Sequence, residues 1–219
     1  ETGGSGAVEL HLSNFQVQNY TSPGITYLGG ATSANDASSS TIAQAFDITN
    51  LGADFLVAQV YDADSSTHNS VSWGAPSAQA FTAFGATNYS NAGDCRVSLW
   101  YLPSPTAGNY SATATFGASV DRRRIALHAF KNVSSTIGNT GTGGAGTGTT
   151  VSVDVAASAN SIVIDCLGTN AGPTITPTGT NQQETSRINA ANPRWLWTSI
   201  QNCPTAGTYA GAVTFGSAV

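Results

Sequence analysis

The sequence predicts an all-β fold, an antiparallel β-sandwich of jelly-roll or Greek-key type with an internal pseudo-repeat. The main observation is a segment that occurs twice, as PTAGNYSATATFGASV at residues 105–120 and as PTAGTYAGAVTFGSAV at residues 204–219. Each copy follows an apolar run that contains tryptophan, and each carries Pro and Gly where a hairpin would turn. No stretch of ten residues has a helical period. A hairpin used twice in a helix-free sequence indicates a layered β structure.

The composition is that of an exterior protein with few charges. Charged residues make up 9% of the 219 residues, against about 25% in typical soluble proteins, and the formal net charge is −5. Apart from the three arginines at residues 122–124, the seven basic residues are scattered, so we expect no nucleic-acid partner. No apolar run approaches the roughly 18 residues of a membrane span, and we expect none. The predicted location is extracellular or on the surface of a virion.

The first six residues are set apart from the domain, and the cysteines limit the possible disulfides. Residues 1–6, ETGGSG, resemble the remnant of a secretion vector followed by a linker, and they are set aside from the fold. Residues 7–219 are expected to form a single β-sandwich domain. The three cysteines, Cys95, Cys166 and Cys203, allow one disulfide and one remaining thiol, with three alternative pairings. Their spacing matches no metal motif, and we expect buried thiols with at most one disulfide.

Alternating apolar and polar residues predict about thirteen strands. The run DFLVAQVY at residues 54–61 is almost continuously apolar, which is typical of a strand buried on both faces. Residues 19–40 are rich in Gly, Ser, Thr and Asn and are predicted to form a long loop. The other strands expected before residue 131 are 7–12, 41–48, 70–73, 79–84, 95–102, 110–116 and 123–130.

A glycine-rich stretch divides the chain into two halves. Residues 138–148, GNTGTGGAGTG, are predicted to form a flexible surface loop. After it the strand order restarts, so the half-repeats span about 40–120 and 149–219. We expect two Greek-key units that close one sandwich. The alternative is that the repeated segments share only their turn chemistry. The strands expected in the second half are 149–156, 159–166, 174–179, 183–188, 195–200 and the second hairpin.

Four short motifs of the first half carry a resemblance to a known type of module. They are a buried apolar strand (FLVAQVY), VSWG at residues 71–74, LWYL at residues 99–102 and PTAGNY at residues 105–110. This combination resembles a β-sandwich module of bacteriophage structural proteins and bacterial secreted surface proteins. The resemblance covers residues 53–133 well and the second half loosely, and it departs from the module at Ala75, where a second Gly is common. It implies a virion or cell-surface part that serves in attachment, with no catalytic residues to transfer.

No constellation of residues predicts catalysis. The three histidines are His11, His68 and His128, and no G-x-S-x-G motif is present, so no serine-hydrolase site is expected. The acidic cluster at Asp62 and Asp64 has three interpretations. It is a solvated turn, a Ca²⁺ site with oxygen ligands from one loop, or a pair of catalytic carboxylates. Calcium is therefore the one cofactor considered, with Asp62 and Asp64 as its ligands.

Aromatic residues are the better candidates for ligand binding. Trp73 and Tyr89 lie beside predicted turns and are expected to be exposed, while Trp195 and Trp197 lie two apart on one strand and so share a face. An exposed aromatic ring with amides nearby can stack on a sugar. The alternative is that these rings are core residues, as we expect for Trp100 and for one of Trp195 and Trp197.

Two further surface features are expected. The sequons at Asn19, Asn88, Asn109 and Asn132 all fall in predicted loops or turns, where glycosylation is accessible. Residues 122–124, three arginines, are expected to form a solvated strand entry that pairs with Asp121, or alternatively a contact for phosphate or sialic acid.

The predicted function is therefore that of a non-enzymatic structural or attachment protein of a virion or cell surface. Its expected partners are a host glycan or receptor, further copies of the chain in a homo-oligomer, or other virion proteins. The alternative is a carbohydrate-binding module of a secreted enzyme.

Overall fold

A computed structural model describes residues 8–13, 24–64, 66–74, 76–84, 89–91, 95–134, 137–139, 141–142, 149–169, 174–188 and 194–216. Within these ranges every regular element is a β-strand, and all strand pairs are antiparallel. The described residues include no helix that is long and apolar enough to cross a membrane. The prediction of an all-β fold is confirmed.

The described part of the chain contains eighteen strands, more than the thirteen expected. The strands up to residue 142 are β1 (Val8–Ser13), β2 (Thr26–Asn35), β3 (Ser39–Asp47), β4 (Phe55–Asp62), β5 (His68–Trp73), β6 (Gln79–Ala80), β7 (Thr82–Ala83), β8 (Tyr89–Asn91), β9 (Cys95–Pro103), β10 (Asn109–Val120), β11 (Arg123–Lys131) and β12 (Gly141–Thr142). The strands that follow are β13 (Thr150–Ala157), β14 (Ser161–Thr169), β15 (Ile175–Pro177), β16 (Gln182–Ile188), β17 (Trp195–Cys203) and β18 (Gly207–Phe215).

These strands form four sheets. The first outer sheet has the order β3-β10-β5-β6, and the first inner sheet has the order β2-β11-β4-β9-β7, with β8 also paired to β9. The second inner sheet is β12-β1-β14-β17-β16, and the second outer sheet is β13-β18-β15. The four sheets stack as four layers, joined by three apolar interfaces. One core cluster lies between the first outer sheet and the first inner sheet, and another lies between the two inner sheets. The third lies between the second inner sheet and the second outer sheet.

The strand orders of the two halves correspond. In the outer sheets β3-β10-β5 matches β13-β18-β15, and in the inner sheets β11-β4-β9 matches β1-β14-β17. The pseudo-repeat is therefore present in the topology as well as in the sequence. Each half is organised around its own pair of packed sheets, so the described strands form two sandwiches that stack on one another, where the sequence suggested one. The position that β11 holds in the first half is filled in the second half by the N-terminal strand β1.

Strands β4 and β14 are buried on both faces, because each lies in an inner sheet between two neighbouring layers. Alternate residues of β4 point to opposite sides. Phe55 and Val57 belong to the interface between the inner sheets, whereas Leu56 and Ala58 face the first outer sheet. This confirms the prediction for residues 54–61. Outer strand β13 alternates between exposed and buried residues, since one of its faces meets solvent.

The inner sheets approach closely at Gly168. A Cβ atom at this position would lie 2.8 Å from Tyr61 Cδ2 and 2.8 Å from Val97 Cγ1. These distances are shorter than carbon–carbon contacts allow. Only glycine fits here without displacing side chains of the opposite sheet.

Two predictions about loops need correction, whereas the expectation of buried thiols with at most one disulfide agrees with the structure. The loop expected at residues 19–40 contains β2 and the start of β3. Strand β2 (TYLGGATSAN) is held by backbone hydrogen bonds to β11. Its sequence has little apolar alternation, so the pattern search did not detect it. Part of the glycine-rich stretch, Gly141–Thr142, pairs with β1, while residues 140 and 143–148 lie outside the described ranges. All three cysteines are buried and none forms a disulfide.

Candidate functional site

A cavity of about 400 Å³ lies at one end of the second-half sandwich, where three turns meet. The turns connect β13 to β14, β15 to β16 and β17 to β18, and the residues that precede β2 close the fourth side. Its volume is within the roughly 300–1,000 Å³ range of small-molecule sites. We call it the amide pocket, after the side chains that line it: Asn160, Asn181, Gln183 and Asn202, with Gly24, Ile25, Ser161, Ile162, Cys203 and Pro204.

Backbone geometry explains two of the four amide residues. Asn160 and Asn181 both have a φ of 58°, in the left-handed region that asparagine tolerates better than most residues. Gln183 and Asn202 lie on strands β16 and β17 and are not among the residues of positive φ. The turns therefore do not require an amide at residues 183 and 202.

The four amides differ in their hydrogen bonding. The side chain of Asn181 has a partner, because it donates from Nδ2 to the carbonyl of Asn202 at 3.4 Å. The side chains of Asn160, Gln183 and Asn202 are exposed and make no hydrogen bond to the described part of the chain. Each can donate two hydrogen bonds and accept others, which complements the hydroxyl groups of a ligand.

The rest of the lining is apolar or neutral. Ile162 is buried and Ile25 is half-buried, so both present hydrocarbon to the cavity. The thiol of Cys203 is protonated near neutral pH, because burial raises its pKa to about 11. None of the described lining residues is charged, and none is a nucleophile paired with a base. The described lining thus combines amide hydrogen-bonding groups with hydrocarbon, an arrangement suited to binding a small polar ligand.

A second polar cluster lies inside the first-half sandwich. His68 Nε2 is 2.6 Å from Asp62 Oδ2, and His68 Nδ1 is 2.5 Å from Ser98 Oγ. Trp100 donates from Nε1 to the same Ser98 oxygen at 2.7 Å. The residue types are those of a serine-hydrolase triad. However, Ser98 and Asp62 have no exposed surface and His68 is 2% exposed, so no substrate reaches the hydroxyl in this structure.

Burial also sets the protonation of His68. Loss of solvent lowers its pKa, and this outweighs the opposite effect of the Asp62 carboxylate.

Sequence analysis located His68 beside the acidic turn but did not find Ser98, which lies thirty residues further on in an apolar strand. Only the pairing of the sheets brings the two together.

The acidic pair separates into two environments. Asp62 Oδ1 accepts hydrogen bonds from the backbone N–H groups of Asp64, at 2.8 Å, and of Ser66, at 3.1 Å. Asp62 is therefore a buried turn-forming residue and not a solvated one. Asp64 is exposed, and its Oδ2 accepts from the backbone N–H of Asp121 at 2.7 Å. Among the described residues no group of three or more His, Cys, Asp or Glu side chains could hold a metal ion.

The expected ligand-binding aromatics lie mostly in the core. Trp73 is fully buried and donates from Nε1 to the carbonyl of Thr106 at 3.0 Å, so the expectation that it is exposed is wrong. The turn after β9 covers it. Trp197 is also fully buried and donates to Glu184 Oε2 at 2.9 Å. Trp100 is buried, as expected, and Trp195 is half-buried. The side chain of Tyr89 lies outside the part of the structure that is described.

The arginine segment at residues 122–124 was expected to be solvated, and the structure differs in this respect. Arg123 and Arg124 are buried and not solvated. Arg124 Nη2 lies 2.8 Å from Asp36 Oδ1, and Arg123 donates to the carbonyl of Ala37. These guanidinium groups therefore secure the loop between β2 and β3.

Two of the four sequons fall in described residues. Asn109 is exposed at the start of β10, and Asn132 is half-buried with a φ of 62°. Asn19 and Asn88 lie outside the described ranges.

Sequence reasoning missed a buried carboxylate in the second-half sandwich. Asp165 Oδ2 accepts from Ser199 Oγ at 2.5 Å and from Gln182 Nε2 at 2.7 Å, while Oδ1 has no hydrogen-bond partner. Burial raises the pKa of Asp165 to about 6. The available signal was one acidic residue within the apolar run SIVIDCL.

Sequence reasoning also missed the amide pocket. The available signal was asparagine at two turns of the second half, Asn160 and Asn181, and at the end of a strand, Asn202. No protein-family model matches this chain, and neither a curated protein nor a solved structure matches it.

Proposed function

We propose that this protein is a non-enzymatic structural or attachment component of a virion or cell surface, located outside the cell, and that it recognises a glycan or a neighbouring subunit. The observation that carries the proposal is the amide pocket, a concave site whose described lining holds free amides and no charged group. Such lining favours recognition over chemistry, because acid–base catalysis needs a titratable group at the reacting atoms.

The position of the catalytic-type residues supports the same conclusion. Asp62, His68 and Ser98 are enclosed between the first outer and first inner sheets, and their polar atoms bond to one another and to Trp100. In this position they stabilise the sandwich interior. The resemblance of residues 53–133 to a module of phage structural and bacterial surface proteins agrees with a role in attachment.

Contacts with further copies or other virion proteins would use the outer sheets. Their solvent faces carry small side chains, such as Ala43 and Ala45 on β3 and Ser152 on β13, with Asp47 and Asp154 as exposed charges on the same strands. A surface with small side chains and few charges permits close packing between subunits.

The alternative function is a carbohydrate-binding module of a secreted enzyme. The same amide pocket favours it, because all its lining residues belong to one chain. Oligomeric state separates the two functions, since a module acts as a monomer attached to its enzyme.

The test combines a glycan array with light scattering on the purified chain. Assembly into a defined oligomer supports the exterior structural component, and sugar binding by a monomer supports the module. Hydrolytic turnover of glycans or esters that is lost in Asp62→Ala would overturn the non-enzymatic proposal. The variant Asp64→Ala serves as control, because Asp64 lies in the same turn but is exposed.

A further inference from the structure

We infer that the amide pocket binds a neutral sugar unit, through hydroxyl groups that pair with Asn160, Gln183 and Asn202. This inference rests on the proposed function, and it assigns to that function a site and a ligand class. The site differs from the aromatic residues that the sequence suggested for sugar binding.

The hydrogen-bonding groups of the pocket match those of a sugar. A hydroxyl group both donates and accepts, and so does a carboxamide. Asn160, Gln183 and Asn202 approach the cavity from three different elements: the β13–β14 turn, β16 and β17. A ligand that reaches all three must carry several polar groups around one small body, as a sugar ring does.

The apolar part of the lining suits the hydrocarbon face of such a ring. Ile25, Ile162 and Pro204 line the same cavity as the amides. Burying the C–H groups of a sugar against these side chains adds a hydrophobic contribution. No aromatic ring is among the described lining residues, and without the stacking that strengthens many sugar sites we expect weak binding.

The first half of the chain provides an internal comparison. There, Asp54 precedes β4 as Asn160 precedes the matching strand β14, and the side chains of Asp54 and of Gln79 on β6 are held by internal hydrogen bonds. Gln79 donates to the carbonyl of Ser104 at 3.3 Å and accepts from the N–H of Thr106 at 2.7 Å. Asp54 accepts from the N–H of Asn132 at 2.7 Å. In the second half Asn160, Gln183 and Asn202 make no such bonds within the described part of the chain, which leaves their side chains available to a ligand.

Charge restricts the ligand class. None of the ten described residues that line the pocket is Lys, Arg, His, Asp or Glu. Carboxylate and sulfate groups are recognised chiefly by arginine and lysine, and an unpaired charge is costly to desolvate. The pocket should therefore accept neutral sugars and discriminate against sialylated or sulfated ones.

The experiment uses the full chain in two steps. A printed array of neutral, sialylated and sulfated glycans identifies the bound class. The terminal monosaccharide of the strongest neutral binder is then titrated into ¹⁵N-labelled protein, and the side-chain NH₂ resonances of Asn and Gln are followed. The variants are Asn160→Gly, Gln183→Ala and Asn202→Ala, separately and combined. Glycine keeps the left-handed backbone at residue 160. The matched control is Asn69→Ala, an exposed asparagine on β5.

The expected result is binding of neutral glycans with shifts confined to the NH₂ groups of the pocket. Each single variant should weaken binding roughly 3- to 10-fold, as expected for one net hydrogen bond, and the combined variant should abolish it. Asn69→Ala should bind like the wild type, and the urea midpoint of every variant should be unchanged.

Three results would overturn the inference: no binding to the array, a preference for anionic glycans, or neutral-sugar binding that persists in the combined variant. In the last case the proposed recognition function survives and only the location of its site is wrong. If the array is negative but the protein assembles on the surface of its source, the structural role likewise remains and only sugar binding is excluded.

Discussion

Gln59 on β4 donates from its Nε2 to the backbone carbonyl of Asp165 on β14, at 2.8 Å, across the interface between the two inner sheets. The Oε1 atom of Gln59 lies 2.8 Å from His128 Nε2, and His128 Nδ1 lies 3.2 Å from the hydroxyl of Tyr27. Gln59 and His128 are buried, and the interface around them is apolar. This chain of polar contacts therefore joins the two sandwiches at one defined position, since a shift of the sheets would leave buried groups unpaired.

We expect Gln59→Ala to lower the free energy of unfolding by about 1–3 kcal/mol, because it leaves His128 without its acceptor and opens a small cavity. Urea denaturation followed by circular dichroism measures the change. Gln183→Ala, at an exposed position of β16, is the control and should stay within about 0.5 kcal/mol of the wild type. An unchanged midpoint for Gln59→Ala would show that the polar bridge contributes nothing to stability.

Asp165 should make stability depend on pH. Its pKa in the folded state is about 6, above the ordinary value of 3.8, so the folded protein binds more protons than the unfolded chain between these values. The contribution of Asp165 is therefore fully present below pH 3.8 and is lost as the pH rises to 6. Two pKa units correspond to about 3 kcal/mol.

The measurement compares wild type with Asp165→Asn by urea denaturation from pH 4 to pH 7. His128, whose pKa burial lowers to about 4, acts in the opposite direction, because it binds fewer protons when folded. Its effect is common to both proteins and cancels in their difference. The stability of the wild type relative to the variant should fall across this range. Asp154→Asn, on the exposed face of β13, is the control, and a constant difference between wild type and Asp165→Asn contradicts the assignment.

Ser98→Ala should destabilise the first-half sandwich without affecting ligand binding. The substitution removes the oxygen that receives Trp100 Nε1 and contacts His68, and each buried group left unpaired costs about 1–3 kcal/mol. Thermal unfolding and the sugar titration are the two measurements. Ser72→Ala, a half-buried serine on β5, is the control. A loss of binding at constant stability would place Ser98 in a functional site after all.

Gly168→Ala should separate the inner sheets. The added methyl group would contact Tyr61 and Val97 at 2.8 Å, and overpacking of this kind typically costs about 1–3 kcal/mol. Gly117→Ala is the control, because a Cβ atom there meets its neighbours at ordinary distances of 3.5 Å or more. Guanidinium denaturation measures both variants. Equal stability of Gly168→Ala and Gly117→Ala would mean that the sheets can yield at this point.

The local pattern of apolar and polar residues was sufficient to locate most of the strands. Alternation located most of them within a few residues, and the continuous apolar run at β4 correctly indicated burial on both faces, because the periodicity of side chains is a property of the strand itself. The repeated hairpin likewise indicated two matching halves. The same reasoning failed for β2, which is defined by its ladder with β11 and carries little apolar signal of its own.

What the sequence by itself determined is the β class, the pseudo-repeat and the low charge of the surface. The tertiary structure decided which surfaces meet: that the halves stack as four layers, that Trp73 is covered, and that Asp165 is buried. It also decided that the turns carrying Asn160 and Asn181 converge on β17 to form one pocket. The physical reason is that these features depend on contacts between residues far apart in the chain, and a local pattern of polarity contains no information about which sheet lies opposite.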